Sequence, residues 1–205
     1  AGLVDVLRYR NTWLLFIVPG GIVGCVLTFA GLWGVPFLTT HYDMGITRAS
    51  TITSALMVAW AVGGPIFGAL SDRVGRKRLN LAGGALAAVG IFLLLFARSV
   101  GSLYVFGAII GMATGVFLSV NWALATDLIP TEEAGKYLGL SNLATAGAGA
   151  ASRLGGPLID GLNGLRPGAY LGYPALFLLA SASTLIGTLL LLRVREPRGV
   201  AQGES

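Results

Sequence analysis

Long apolar runs alternate with short polar segments along the whole chain. A helix needs about 20 apolar residues to cross the hydrocarbon core of a bilayer, and six runs are long enough. None of them shows the period-two alternation of a membrane-spanning β-strand. Helices satisfy their backbone hydrogen bonds within one segment, so they are the spanning structure that remains. The pattern therefore predicts transmembrane helices at residues 11–38, 49–70, 79–97, 102–126, 136–159 and 173–194.

The composition indicates that lipid is the solvent for much of this surface. Hydrophobic residues make up 55% of the 205 residues and charged residues only 11%, whereas about 25% of an ordinary soluble domain is charged. The net charge of +5 does not indicate a nucleic-acid partner. The cations cluster at the ends of apolar runs, and no basic face carries interleaved aromatic residues. We therefore predict an all-α membrane protein with the lipid bilayer as a partner.

The positions of lysine and arginine predict how the six helices are oriented. Short cytoplasmic loops of membrane proteins carry an excess of these residues. Six helices place both termini on one side, and that side collects Arg8, Arg10, Arg73, Arg76, Lys77, Arg78, Lys136, Arg193, Arg195 and Arg198. The other side has only Arg48, Arg98 and Arg166. We expect both termini to face the cytoplasm and the protein to lie in the inner cell membrane.

Glycine is abundant, with 31 residues, and its spacing predicts how helices pack. Small residues four positions apart let helix backbones approach closely in a membrane. Such stripes occur at Gly20/Gly24, Gly64/Gly68, Gly107/Gly111/Gly115 and Gly147/Ala151/Gly155. We interpret them as helix–helix contacts.

Two similar motifs indicate an internal repeat. GGPI at residues 63–66 lies toward the cytoplasmic end of the second predicted helix, and GGPL at 155–158 lies toward the outer end of the fifth. This is the relation expected of two three-helix units with inverted topology. In a chain so rich in glycine, chance is the alternative. The predicted fold is a single bundle over residues 1–205 built from two inverted three-helix repeats.

The loop between the second and third predicted helices holds the densest set of charges. Its sequence, GALSDRVGRK at 68–77, resembles the signature between the second and third helices of each half of the major facilitator superfamily. The resemblance implies a transporter of two six-helix halves. GLWGVPFL at 31–38, and DLIP at 127–130 followed by GKYLG at 135–139, are similar to the seventh helix and to the junction of the tenth and eleventh helices. The resemblance therefore favours the C-terminal half.

The resemblance also implies a conformational latch on the cytoplasmic side. Its members here are Gly68, Asp72, Arg73, Gly75, Arg76, Lys77 and Asp127. Gly68 is expected to permit a close helix crossing, and the charged cluster to hold in one state of the transporter and break in the other. The alternative is that the cations of this loop only set orientation and bind anionic headgroups.

Polar and aromatic residues within the spans are candidates for a solute path. Polar groups in a membrane are costly, so they are candidates for function. The third and sixth predicted helices hold no Asn, Gln or charged residue in the core of their spans, and the resemblance implies that these two helices face lipid. The candidates are Trp33, Trp60, Asn121, Asn142 and Arg153. The two asparagines either bond each other or contact substrate. Arg153 either binds an anionic group, extends outward or pairs with Asp160.

The resemblance implies secondary active transport of a small solute by alternating access, as a symporter or antiporter. We expect no enzymatic activity, cofactor or metal. The expected protein partner is a missing N-terminal six-helix half or a second copy of the chain. A half-size transporter acting as a homodimer is one alternative, and a membrane scaffold or receptor that does not transport is another. The substrate cannot be read from the sequence, although Arg153 favours a small organic anion.

Overall fold

The computed structural model describes residues 22, 24, 29–128 and 134–193, and each element in these ranges is helical. A π-helical turn at Phe29–Trp33 leads into α1 (Gly34–Tyr42). It is followed by α2 (Ile46–Val74), α3 (Arg76–Leu93), a 3-10 turn (Leu94–Phe96) and α4 (Val100–Leu128). The remaining elements are α5 (Ala134–Ala151), a 3-10 turn (Ser152–Leu154), α6 (Gly155–Leu165) and α7 (Gly172–Leu191).

Within these ranges, four helices are long and apolar enough to cross a membrane. They are Ile46–Val74, Arg76–Phe96, Val100–Asn121 and Gly172–Leu191. These helices coincide with the second, third, fourth and sixth predicted spans. The first predicted span, 11–38, lies mostly outside the described residues. The arrangement as six helices in two repeats stays a prediction, as does the single domain.

The fifth predicted span, 136–159, is not one continuous α-helix. A 3-10 turn at Ser152–Leu154 separates α5 from α6. Pro157 lies just beyond the turn, and a proline within a helix clashes with the carbonyl group four residues before it, here that of Arg153. The Ser152 hydroxyl also donates to the Gly149 carbonyl oxygen at 2.6 Å. The related motif at 63–66 differs in this respect, because Pro65 lies inside the unbroken α2.

Helix α4 is the centre of the packing. It lies along α2 on one side and along α3 on the other, and α3 also packs on α7. One apolar cluster includes Phe37, Leu56, Ile110 and Phe177, and it joins α1, α2, α4 and α7. Close glycine contacts hold the pairs together. A Cβ atom at Gly83 of α3 would lie 2.9 Å from Val116 Cγ1 of α4.

The glycine stripe of α4 makes two kinds of contact. A Cβ atom at Gly111 would lie 2.8 Å from Ala59 Cβ and 2.9 Å from the Leu56 carbonyl oxygen, both on α2. A Cβ atom at Gly115 would lie 3.0 Å from the Trp60 carbonyl oxygen. A Cβ atom at Gly107 would meet nothing within 4 Å. The predicted helix contact is therefore confirmed at Gly111 and Gly115 and is wrong at Gly107.

The other predicted stripes are confirmed only in part. Cβ atoms at Gly64 and Gly147 would meet nothing within 4 Å. A Cβ atom at Gly155 would meet both the Trp33 ring and Leu176 Cδ1 of α7, and one at Gly24 would meet Ala148 Cβ of α5. Equal spacing in the sequence thus hides unequal packing, because each contact depends on how near the facing helix lies.

An aromatic cluster closes the end of the molecule where α1 ends. The His41 ring is exposed, yet it stacks on Phe37 with ring centroids 5.4 Å apart. It also meets Tyr42 and Tyr170 edge to face, at 5.1 Å and 5.6 Å. The Tyr42 hydroxyl donates to the Ala97 carbonyl oxygen at 2.5 Å, and burial raises the pKa of this phenol above its usual value. The cluster ties the end of α1 to the turn that precedes α4.

High pH should weaken this end of the fold through Tyr42. Because the folded-state pKa of Tyr42 is raised, the contribution of its neutral phenol to folding stability is complete below the unfolded pKa of about 10. That contribution is lost as the pH rises through the folded-state pKa. Between pH 9 and 11, a window set by that unfolded value of about 10, we expect the melting temperature of the parent to fall more than that of Tyr42→Phe. The exposed Tyr104 provides the control, Tyr104→Phe. Equal losses in the parent and Tyr42→Phe would contradict the assignment.

Candidate functional site

Gly75 forms the turn between α2 and α3 with a backbone angle φ of +100°. Residues with a Cβ atom rarely adopt this conformation, whereas glycine adopts it at little cost. The Gly75 N–H donates to the Ser71 carbonyl oxygen at 3.0 Å, and its own carbonyl accepts from the Leu79 N–H at 3.1 Å. One residue therefore ends α2 and begins α3, which fixes where the neighbouring charges lie.

Arg76 connects this turn to α4. Its Nη2 atom lies 3.2 Å from Asp72 Oδ1, across the turn. Its Nη1 atom donates to the Ala123 carbonyl oxygen of α4 at 3.0 Å. Asp72 is largely exposed, with 64% of its side-chain surface accessible, and an exposed ion pair contributes only about 0.2–1 kcal/mol. The contact that joins two helices is the one to Ala123.

Lys77 connects the same turn to α7. Its Nζ atom donates to the Leu192 carbonyl oxygen at 3.1 Å, and Leu192 is the C-cap residue directly after α7. The carbonyl groups at the end of a helix lack partners within the helix and attract cations. We call Arg76 and Lys77, with Ala123 and Leu192, the cationic clamp. It holds the start of α3 against the final turns of α4 and α7.

Two members of the predicted latch lie together in the structure, and their role as a latch stays a prediction. Asp72 and Arg76 are together as predicted, whereas the side chain of Asp127 lies outside what the structure describes. Arg73 is exposed in the last turn of α2. Gly68 is not a point of close approach in this structure, because a Cβ atom there would meet only Ser119 Cβ, at 4.0 Å. The close crossing of α2 and α4 lies nearer the middle of the helices, at Gly115, where a Cβ atom would be 3.3 Å from Gly63 Cα.

Trp33 is not a free surface for a solute. Its Nε1–H donates to the Ser152 carbonyl oxygen at 3.1 Å. Its ring covers the start of α6, since a Cβ atom at Gly155 would lie 3.2 Å from Nε1 and one at Gly156 would lie 3.2 Å from Cη2. The structure thus gives Trp33 protein partners that the sequence did not predict.

The other path candidates lie in different surroundings. Trp60 is half-buried, Asn121 is buried, and Asn142 and Arg153 are exposed. In the described part of the chain no hydrogen bond joins the two asparagines, and their unequal burial does not favour the mutual bond considered above. Arg153 and Asp160 likewise form no ion pair in the described part of the chain.

Asn80 was missed by the sequence analysis. It lies one turn after Arg76 in α3 and is completely buried. Neither its Nδ2 nor its Oδ1 atom has a hydrogen-bond partner, and leaving a polar group in this condition costs about 1–3 kcal/mol. Asn80 lies at the start of the third predicted span, where a polar residue is ordinarily interfacial. The structure instead places it on the buried face of α3.

The contacts described above position helix ends and turns relative to one another. Among the described residues, no group of three or more His, Cys, Asp or Glu side chains lies close enough together to hold a metal ion. The clamp can hold helix ends together and release them. The Trp33 contact can fix an irregular turn.

The comparison with protein families gives one match over nearly the whole chain. The model of the Major Facilitator Superfamily matches residues 13–205. Among curated proteins, "Multidrug resistance protein MdtG" of Proteus mirabilis is 33% identical over 181 residues, which are 82% of this chain and 44% of that protein. The protein of the same name from Enterobacter lignolyticus is 32% identical over 187 residues, 85% and 42% of the two chains.

A third relative matches a shorter stretch. "Multidrug resistance protein 3" of Bacillus subtilis is 37% identical over 99 residues, 48% of this chain and 19% of that protein. The matched part of this chain spans less than half the length of each of the three relatives.

Proposed function

Because the chain belongs to the Major Facilitator Superfamily, a family of membrane transporters, we propose that it forms the C-terminal six-helix half of a secondary transporter that works by alternating access. The cationic clamp is the observation that carries this proposal. Its two bonds run from one short turn to the ends of two separate helices, at 3.0 Å to Ala123 and 3.1 Å to Leu192. Such bonds are made in one packing of the helix ends and lost in another.

The strength of the clamp suits a reversible switch. A hydrogen bond from a charged donor contributes about 1.5–3 kcal/mol. Breaking one or both bonds therefore changes the populations of two states by about one to a few powers of ten, at 1.4 kcal/mol for each tenfold step. That range favours one state without locking it. In this proposal the turn at Gly75 and both termini face the cytoplasm.

The proposed solute is a small organic molecule, as the names of the multidrug resistance relatives suggest. Arg153 is exposed in the turn between α5 and α6 and is the proposed contact for an anionic group on that molecule. Asn121 and Asn142 are proposed to line the same path. The alternative is a half-size transporter in which two copies of the chain replace the two halves.

Dye efflux from proteoliposomes tests this function. The chain is reconstituted alone and together with the N-terminal six-helix half of the Proteus relative. The liposomes are loaded with anionic, neutral and cationic fluorescent dyes. We expect efflux of at least one dye when both halves are present, and a larger loss for anionic than for neutral dyes with Arg153→Gln. Efflux from the chain alone, at the mass of a dimer, would select the homodimer. No efflux of any dye in either preparation would contradict transport of this solute class.

A further inference from the structure

Two irregular turns meet at one hydrogen bond in this molecule. The π-helical turn Phe29–Trp33 ends at Trp33, and the 3-10 turn Ser152–Leu154 begins at Ser152. The Trp33 Nε1–H donates to the Ser152 carbonyl oxygen at 3.1 Å. Short π-helical and 3-10 segments next to α-helices are often found at functional positions. Here they contact each other although they are 119 residues apart in the sequence.

The two glycines after the turn make room for the indole ring. A Cβ atom at Gly155 would lie 3.2 Å from Trp33 Nε1 and 3.3 Å from Leu176 Cδ1 of α7. A Cβ atom at Gly156 would lie 3.2 Å from Trp33 Cη2. Most real Cβ contacts are longer than these distances. A side chain at either position would push the ring away from the Ser152 carbonyl group.

The bond acts directly on Arg153. The Ser152 carbonyl oxygen belongs to the same planar peptide unit as the N–H and Cα atoms of Arg153. Holding that oxygen therefore fixes the plane from which the Arg153 side chain departs. A 3-10 turn rotates the chain by about 120° per residue and an α-helix by about 100°. Release of the turn into regular helix would therefore rotate Arg153 about the helix axis.

We propose that Trp33 is a positioning residue, which sets the direction of the Arg153 side chain through the Ser152 peptide and the seat formed by Gly155 and Gly156. Trp33 itself does not touch the solute. Its relevance to transport rests on the proposed function, in which Arg153 contacts an anionic group. The geometric part of the inference stands apart from transport and can be measured without it.

Cysteine labelling at position 153 tests the geometry. The native cysteine is removed with Cys25→Ser, and Arg153→Cys is labelled with a water-soluble maleimide in detergent. Two further variants are then added singly to this parent. Trp33→Phe keeps an aromatic ring but removes the donor, and Gly156→Ala puts a methyl group against the ring. The matched control is Gly161→Ala in the same helix, where a Cβ atom meets nothing within 4 Å.

We expect Trp33→Phe and Gly156→Ala each to lower the labelling rate by about fivefold or more, a change that the loss of one ordinary hydrogen bond supports. Gly161→Ala should leave the rate within about twofold of the parent, the ordinary effect of a tolerated surface change. The inference fails if Trp33→Phe or Gly156→Ala leaves the rate unchanged or raises it. It also fails if Gly161→Ala lowers the rate as much as the other two.

A transport measurement separates this inference from the proposed function. With the native Arg153 restored, Trp33→Phe should raise the KM for an anionic dye and leave kcat nearly unchanged, and the same split is expected for Arg153→Gln. If labelling changes as expected while no dye is transported, the positioning role holds and the proposed function fails. If transport occurs but labelling does not respond, the positioning role fails and the proposed function remains.

Discussion

Arg76→Gln should lower the rate of dye efflux by about tenfold or more, whereas Arg78→Gln should leave it within about twofold of the parent. The tenfold figure follows because the hydrogen bond from Arg76 to the Ala123 carbonyl group has a charged donor and contributes about 1.5–3 kcal/mol. Its loss depletes the clamped state by about one to two powers of ten. A cycle that must pass through this state slows accordingly.

Arg78 makes this comparison decisive. It lies two residues further along the same turn and is exposed, and its substitution removes the same single charge. If the cations of the loop only set orientation and bind anionic headgroups, the two variants should behave alike. Equal loss in both would support that alternative, and no loss in Arg76→Gln would remove the clamp from the mechanism. A reporter fused after residue 78 checks that the orientation is unchanged.

The membrane spans could be predicted because bilayer thickness sets a length that hydropathy can measure. The pairing of Asp72 with Arg76 could also be predicted, because opposite charges four residues apart on either side of one short turn are within reach of each other. Among the described contacts, the partners that join the helices are the backbone carbonyl groups of Ala123 and Leu192. These partners could not be predicted, because a carbonyl group has no signature in the sequence.

The break at Ser152–Leu154 shows that rules based on neighbouring residues predict a helix break only in part. Pro157 gives a signal, because proline disturbs the helix four residues before it. The same signal at Pro65 is misleading, since α2 continues through it. The segment before Pro157 differs because the Trp33 Nε1–H donates to its Ser152 carbonyl oxygen. That contact comes from a distant part of the chain.

The burial of Asn80 likewise could not be predicted from the residues around it in the sequence. A polar residue at the edge of a predicted span is ordinarily interpreted as interfacial. Its complete burial follows from the face that it shares with Gly83, Gly84 and Ala87, along which α4 and α7 approach closely. Burial of this residue is a property of three helices together.

The glycine stripe of α4 leads to the largest expected effect on stability. Gly111→Leu should prevent folding, whereas Gly107→Leu should fold with a melting temperature equal to or above that of the parent. At Gly111 the obstacle is the Leu56 carbonyl oxygen, 2.9 Å from the position of a Cβ atom, and backbone cannot move aside as a flexible side chain can. Overpacking costs about 1–3 kcal/mol or more even where side chains can adjust.

At Gly107 the added side chain has space to fill. Helices α2 and α4 enclose a cavity of about 120 Å³ there, lined by apolar residues that include Leu56, Ala59 and Leu103. In a membrane the gain comes from van der Waals contacts that fill the space, since lipid is as apolar as the protein interior, and leucine forms helix better than glycine by nearly 1 kcal/mol. Both terms favour the substituted protein, and the empty space removes the usual cost.

Thermal unfolding and size-exclusion elution in detergent measure this contrast. If Gly111→Leu yields no protein, Gly111→Ala gives the same test in a milder form, because its Cβ atom already meets Ala59 Cβ at 2.8 Å. We expect Gly111→Ala to melt below the parent and Gly107→Ala to melt at or above it. Both positions are glycines one turn apart on one stripe of one helix, so the two substitutions make the same chemical change. Equal melting temperatures for the two alanine variants would show that α2 and α4 do not cross at Gly111.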